Sequence, residues 1–289
     1  MEKRKRYLRL TALCLAGTLC LTACGQRPGK LRRPYGSSEQ ATETTASAPT
    51  ETQTAPAEAN ISVSDQMETA PKEPLVYGDS RVPSYSSTTP DWQTIDFEWS
   101  CQGRATTGKV SVTLDANMYQ YYRNLPRYYQ SSEYYNYVND ENNRQVVQSI
   151  VNAMREIGTE LNYDDGDIAR EIANFVQQCV EYQLDSETTG QEDYPRYPIE
   201  TIYERQGDCE DSSILLAALL KEYGYEVGFL RYPTHVAVVI RTLDDYSGGA
   251  YFQYEGHRYL YIESTATGWS IGAIPEDYQT STGELYLIP

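Results

Sequence analysis

The stretch GDCEDSSILLAALL, residues 207–220, sets a thiol, Cys209, at the threshold of an apolar helix and rings it with Asp208, Glu210 and Asp211. A cysteine nucleophile reacts as the thiolate, and the unsatisfied N–H groups and positive dipole end of a helix N-terminus favour that state. Carboxylates oppose it only if they point at the sulfur. Asp208 has the type of an N-cap, and Asp211, three residues on, that of a capping-box partner, so both are expected to bond backbone N–H groups and stay solvated. On that reading the helix terminus wins, helped by an imidazole. The chain holds two, His235 and His257. His235 opens the strand HVAVVI, 26 residues after Cys209, and a strand start beside a helix start is where thiol and ring can meet as a thiolate–imidazolium pair. The ring needs a third group to fix its tautomer. Glu263, ending HRYLYIE on the face of Tyr259 and Tyr261, is the candidate, with Asp277 a weaker substitute.

Other readings of these residues carry less. A buried structural thiol is poorly served by an acidic helix start, and His257, beside the Glu255-Gly256 turn, is expected to be exposed and idle. Trp269 in GWSIG is expected to pack rather than line a cleft. Cys209, His235 and Glu263 would be an unusual zinc set, without a second Cys or His close in sequence, so no metal and no cofactor is expected.

The elements that must position this trio follow from periodicity. The Cys209 helix runs through Ile214, Leu215, Ala218 and Leu219, and Gly224 is its natural C′ residue. Two helices precede it. One carries the stripe Val146, Val147, Ile150, Val151, Met154, Ile157; the other begins near Asp165 or Asp167 and bears Ile168, Ile172, Phe175, Val176 and Cys179. Strands are expected at 226–231, 235–242, 250–254 and 257–263, the last pair joined by the tight turn Glu255-Gly256, and earlier at 94–99 and 109–114. Helices followed by consecutive strands argue for an α+β fold rather than a wound parallel sheet. Eight tyrosines between residues 119 and 137 are read as core packing rather than a sugar-binding platform.

The N-terminus places the protein. A basic segment, Lys3 to Arg9, precedes an uncharged run from Leu10 to Ala23, too short to span a bilayer, where roughly 20 residues are needed. It closes in Leu21-Thr22-Ala23-Cys24-Gly25, which resembles a bacterial lipobox. Residues 1–23 are therefore read as a lipoprotein signal peptide and Cys24 as a lipidated residue, anchoring the protein to the cell membrane and facing it outside the cytoplasm, at a bacterial cell surface or in a periplasm. Cleavage removes five of 24 basic residues and one of 41 acidic ones, leaving 19 against 40, net −21. So acidic a chain is not expected to bind nucleic acid. From Ser37 to Asn60, 17 of 24 residues are Ser, Thr, Ala or Pro, and none is aromatic. Such a composition cannot offset its ordering entropy, so residues 24–91 are read as a disordered linker with a coil span of about 45 Å, and 92–289 as one domain. Beyond Cys24, Cys101, Cys179 and Cys209 remain, an odd number that leaves at least one free thiol; whether Cys101 and Cys179 pair is left open by spacing alone.

Residues 187–240, from ETTGQEDYPRYPIETIYERQGDCEDSS to HVAVVI, followed by YIESTATGWSIGAIP, resemble the bacterial branch of the transglutaminase-like superfamily of papain-like cysteine enzymes. The resemblance implies catalytic residues in the order Cys, His, acid, and a helix bearing Cys209 packed on an antiparallel sheet bearing His235 and the acid. Two features depart from the family pattern: the acid is Glu263 where Asp is common, and the Gln-Cys-Trp context of animal protein-crosslinking enzymes is missing. The implied activity is acyl transfer through a thioester on peptide or glutamine carboxamide bonds, more hydrolytic than cross-linking. The Cys209 N–H is one oxyanion donor and the second is unassigned. Location makes extracellular protein or cell-wall peptide the expected substrate. The alternative is a catalytically degenerate module that binds cell-wall or protein ligands.

Overall fold

The computed structural model describes residues 52–53, 84–243 and 248–289. The signal peptide expected at 1–23, the lipidated Cys24 and most of the linker lie outside the described residues.

Residues 214–220 read ILLAALL and leave no polar side, and a helix apolar all round has to be central. The chain is arranged accordingly. A two-residue strand, β1 (Thr52–Gln53), and the hairpin β2 (Trp92–Ser100) and β3 (Thr107–Asp115) come first. Then follow α1 (Ala116–Arg123), α2 (Tyr135–Val138), α3 (Glu141–Leu161) and α4 (Asp165–Cys179). A connecting region holds β4 (Glu181–Tyr182), α5 (Asp185–Thr188), α6 (Pro198–Glu204) and β5 (Gln206–Gly207). The central helix is α7 (Cys209–Tyr223), and β6 (Val227–Tyr232), β7 (His235–Thr242), β8 (Tyr251–Tyr254), β9 (His257–Ile262) and β10 (Glu284–Leu287) complete the chain. The main sheet has the order β1-β8-β9-β7-β6-β10, antiparallel throughout. This is the α+β arrangement the pattern implies, with a Cys-bearing helix on an antiparallel sheet. The edge strand β10 was not foreseen.

Period-two alternation gives the sheet two dry faces. Val236, Val238, Ile240, Leu260 and Ile262 point into the helical core with Leu215, Leu216, Leu219 and Leu220 of α7. Ala237, Val239, Tyr259 and Tyr261 point the other way, into a second cluster with Phe252, Ile274 and Tyr278. Replacing fully buried Leu216 by Ala therefore costs about 2–5 kcal/mol, transfer plus cavity. Glu255 and Gly256 take φ of +50° and +86° and close the β8–β9 hairpin, with Tyr254 opposite His257. Of the eight tyrosines between 119 and 137, Tyr119, Tyr122, Tyr134 and Tyr137 are buried and Tyr121, Tyr128 and Tyr135 pack partly buried against the core, whereas Tyr129 is exposed, contrary to the core-packing expectation. Packing reaches back before Trp92: the Tyr85 hydroxyl donates to Asp115 at 2.7 Å, and the Asp91 N–H donates to the same carboxylate at 2.8 Å. Cys101, Cys179 and Cys209 are free thiols. No helix among the described residues is long and apolar enough to cross a membrane.

Candidate active site

The strand wall is built around a buried carboxylate. β6 and β7 turn through Pro233 and Thr234, setting His235 opposite Tyr232 at the open end of the sheet. β9 pairs directly with β7, Ile262 opposite Val238, so the residue after Ile262 comes level with the start of the β7 strand. That residue is Glu263. Its Oε2 lies 3.0 Å from His235 Nε2 and accepts from the Tyr261 hydroxyl at 2.6 Å. Its Oε1 accepts from the N–H groups of Ser264 and Thr265, both at 3.0 Å, and from the Thr265 hydroxyl at 2.7 Å. Burial alone would raise the pKa of so enclosed a carboxyl. The imidazole and these donors outweigh it and hold Glu263 down at about 2. The ring of His235 stacks on Tyr278, centroids 4.9 Å apart. With Nε2 committed to Glu263, Nδ1 is the nitrogen left for chemistry.

Three further side chains fix this wall, and the sequence reading singled out none of them. Gln177 of α4 donates to the Glu263 carbonyl at 2.8 Å and the Trp269 carbonyl at 3.1 Å, tying that helix to the loop after the acid. Ser213 of α7 donates to the Val236 carbonyl at 3.0 Å, and both Ser212 and Ser213 reach the Ser264 hydroxyl, at 3.0 and 3.2 Å. The serine pair directly after the acids in GDCEDSS is the signal that was there to be used.

The helix wall departs from the sequence expectation. Cys209 is the first residue of α7, as its caps imply, and its N–H has no intrahelical acceptor. Asp211 does accept from the Asp208 N–H, at 3.2 Å. The acids are not solvated, however. Asp208, Glu210 and Asp211 are all buried. The Cys209 sulfur bonds Glu210 Oε2 at 3.3 Å; it is not hydrogen-bonded to His235. Burial, then the charges of Glu210 and Asp208, push the half-buried thiol well above its ordinary range, against the opposing effect of the Val236 N–H. Burial and its neighbours likewise raise Asp208 to about 11 and Glu210 to about 7. The helix terminus does not win in this resting arrangement. Gly207 also has a reason other than backbone freedom: a Cβ there would lie 2.5 Å from Asp211 Cβ.

One buried cation underlies this wall. Arg196, fully enclosed, donates to Asp185 and Asp211, each at 2.5 Å, to Glu204 at 3.0 Å and to the Thr188 hydroxyl at 2.7 Å. Burial disfavours its charge, but Asp211, Asp185 and Glu204 more than offset that and raise it further. The guanidinium fastens the 185–204 segment beneath the start of α7. It lies in the YPRYP stretch, where nothing in its neighbours distinguishes it from a surface arginine.

Both walls open on one cleft of about 280 Å³, lined by Cys209 and His235 together with Glu210, Asp208, Tyr134 and Tyr182. Glu263 sits behind His235. The carboxylate at His235 Nε2 is that of Glu263. His257, expected to be exposed and idle, is half-buried and bonded to Arg241 at 3.0 Å. Three trios bring ligand atoms within 4.8 Å of one another, as a small cation would need: Asp208–Cys209–Glu210, Asp185–Asp208–Asp211 and Asp185–Asp193–Glu210.

Residues 144–235 match the transglutaminase-like superfamily, so the chain carries a domain of that superfamily. The match runs from α3 through α7 and ends on His235. It includes the thiol and the imidazole and stops short of Glu263. Comparison with curated proteins gives no match.

Proposed function

We propose that this chain is a cysteine acyl-transfer enzyme that works through a thioester on peptide or glutamine carboxamide bonds. The observation that carries the proposal is the fully donated Glu263 holding His235 at a cleft shared with a helix-terminal Cys209. In the reaction His235 takes the thiol proton at Nδ1. The sulfur attacks the carbonyl carbon, and the same proton passes to the leaving amine as the tetrahedral intermediate collapses. The Cys209 N–H supplies one donor to the oxyanion. Water, deprotonated by His235, then attacks the thioester and returns the thiol. We take hydrolysis as the main outcome and amine transfer as the minor one. A lipid anchor at Cys24 would hold the enzyme outside the cytoplasm, with extracellular protein or cell-wall peptide as substrate.

The test uses the full chain with glutamine peptides and a labelled primary amine. Hydrolysis is expected to exceed amine incorporation, an acyl adduct is expected on Cys209, and Cys209→Ala is expected to lower turnover by about 10³-fold or more. One observation favours a second reading, a non-catalytic binding module: the thiol rests on Glu210 rather than on His235. Ligand retention by both wild type and Cys209→Ala, with no adduct and no turnover, would decide for that reading.

A further inference from the structure

The cleft is strongly one-sided in charge. Asp185, Glu192, Asp193, Asp208 and Glu210 line it, against Arg231 among the described cations of its wall. Arg196 answers Asp185 and Asp211 from behind, so the buried guanidinium is already committed. Glu192 and Asp193 are exposed at the mouth and enter no ion pair among the described residues. Asp193 leans inward, where its carboxylate, that of Asp185 and that of Glu210 come within 4.8 Å of one another.

A second observation points to a ligand. Asp208 is 9% exposed, and its Oδ1 is buried without a hydrogen-bond partner. The same carboxyl lies within 4.8 Å of the Cys209 sulfur and of Glu210, on the cleft lining. A buried acceptor left without a donor is uncommon and calls for one. The third feature is aromatic. Tyr134 and Tyr182 line the same space, and Tyr129, 53% exposed, stands at its edge.

We propose that this cleft selects a peptide bearing a primary ammonium side chain, lysine or another diamino residue, beside the bond that Cys209 attacks. This rests on the acyl-transfer reading above and names its substrate class. The aliphatic stem lies along the tyrosine faces, where a cation is also attracted to the rings. The ammonium offers three donors, for Asp193, Glu210 and the unpartnered Asp208 Oδ1. A divalent ion fits less well. Calcium takes six to eight oxygens, whereas each trio here supplies three ligand atoms, one trio includes the thiol, and the tyrosine faces would have no part. A bound ammonium also relieves the mutual repulsion that contributes to the raised pKa of Asp208 and Glu210.

The experiment compares peptides identical except for lysine, norleucine or Nε-acetyl-lysine at one position. It reads kcat/KM with the full chain and, separately, affinity for full-chain Cys209→Ala by calorimetry. Lysine is expected to be preferred over both neutral residues by about tenfold or more, as charged hydrogen bonds allow. Asp193→Asn is expected to lower that preference about threefold or more, chiefly through KM. A lysine preference in binding without turnover upholds the ammonium site and rejects the catalytic reading. Turnover without preference does the reverse. Equal affinity for the three peptides, a preference unmoved by Asp193→Asn, or calcium raising Tm while the peptides bind alike, overturns the proposal.

Discussion

The two walls of the cleft solve opposite problems. On the strand wall every oxygen of Glu263 is matched by a donor, and the carboxylate is held charged at about 2. On the helix wall the carboxyls outnumber the donors, Asp208 Oδ1 has none, and the thiol is held protonated. The base is therefore prepared in advance, while the nucleophile waits for something to reach it. Low local dielectric drives both results: it strengthens a fully paired group and penalises an unpaired one.

The largest effect is expected from removing the carboxylate of the strand wall. Glu263→Gln can no longer hold the imidazole in its charged state, and turnover is expected to fall about 10²–10⁴-fold. Its acid profile carries a second signature. Glu263 is depressed on folding from an ordinary 4.5 to about 2, so its contribution to stability is present above pH 4.5 and lost as pH falls towards 2. Acid unfolding of the variant should accordingly be flatter across that window; an unchanged profile would show that the carboxylate is not held as described. Next in size is Arg196→Met. It leaves Asp185 and Asp211 buried without their cation, and urea unfolding is expected to show a loss of about 3–5 kcal/mol. A loss under about 1 kcal/mol, the range of an exposed pair, would mean that those acids reach solvent. The smallest effect sharpens the contrast. Glu210→Gln removes a negative charge and a hydrogen bond that both raise the thiol, so Cys209 should alkylate about two- to tenfold faster at neutral pH. Equal rates in the two proteins would remove Glu210 from its place over the sulfur.

The strand wall was largely legible and the helix wall was not. Tyr259, Tyr261 and Glu263 share a parity, and a parity survives folding because it is local to one strand. With only two histidines in the chain, His235 followed. Asp208 and Asp211 were also placed correctly at the start of α7, and the bond from the Asp208 N–H to Asp211 was as their spacing implied. Their environment was misjudged. Residues 185–204 fold against that helix start and exclude water from acids that look like solvated caps in a linear reading. Gln177 and Ser264 lie in separate elements, 87 residues apart in the chain, and acquire their roles at Glu263 only when α4 and the loop after β9 are brought together.

The order of elements, the facing of each strand and the position of Cys209 at a helix terminus were set by the sequence itself, because periodicity and capping act over a few neighbouring residues. Which carboxylates are dry, which one meets the imidazole, which one sits over the sulfur and where the buried guanidinium of Arg196 lies were decided by the tertiary structure. Burial and pairing are sums over distant segments, and a short window of residues does not contain them.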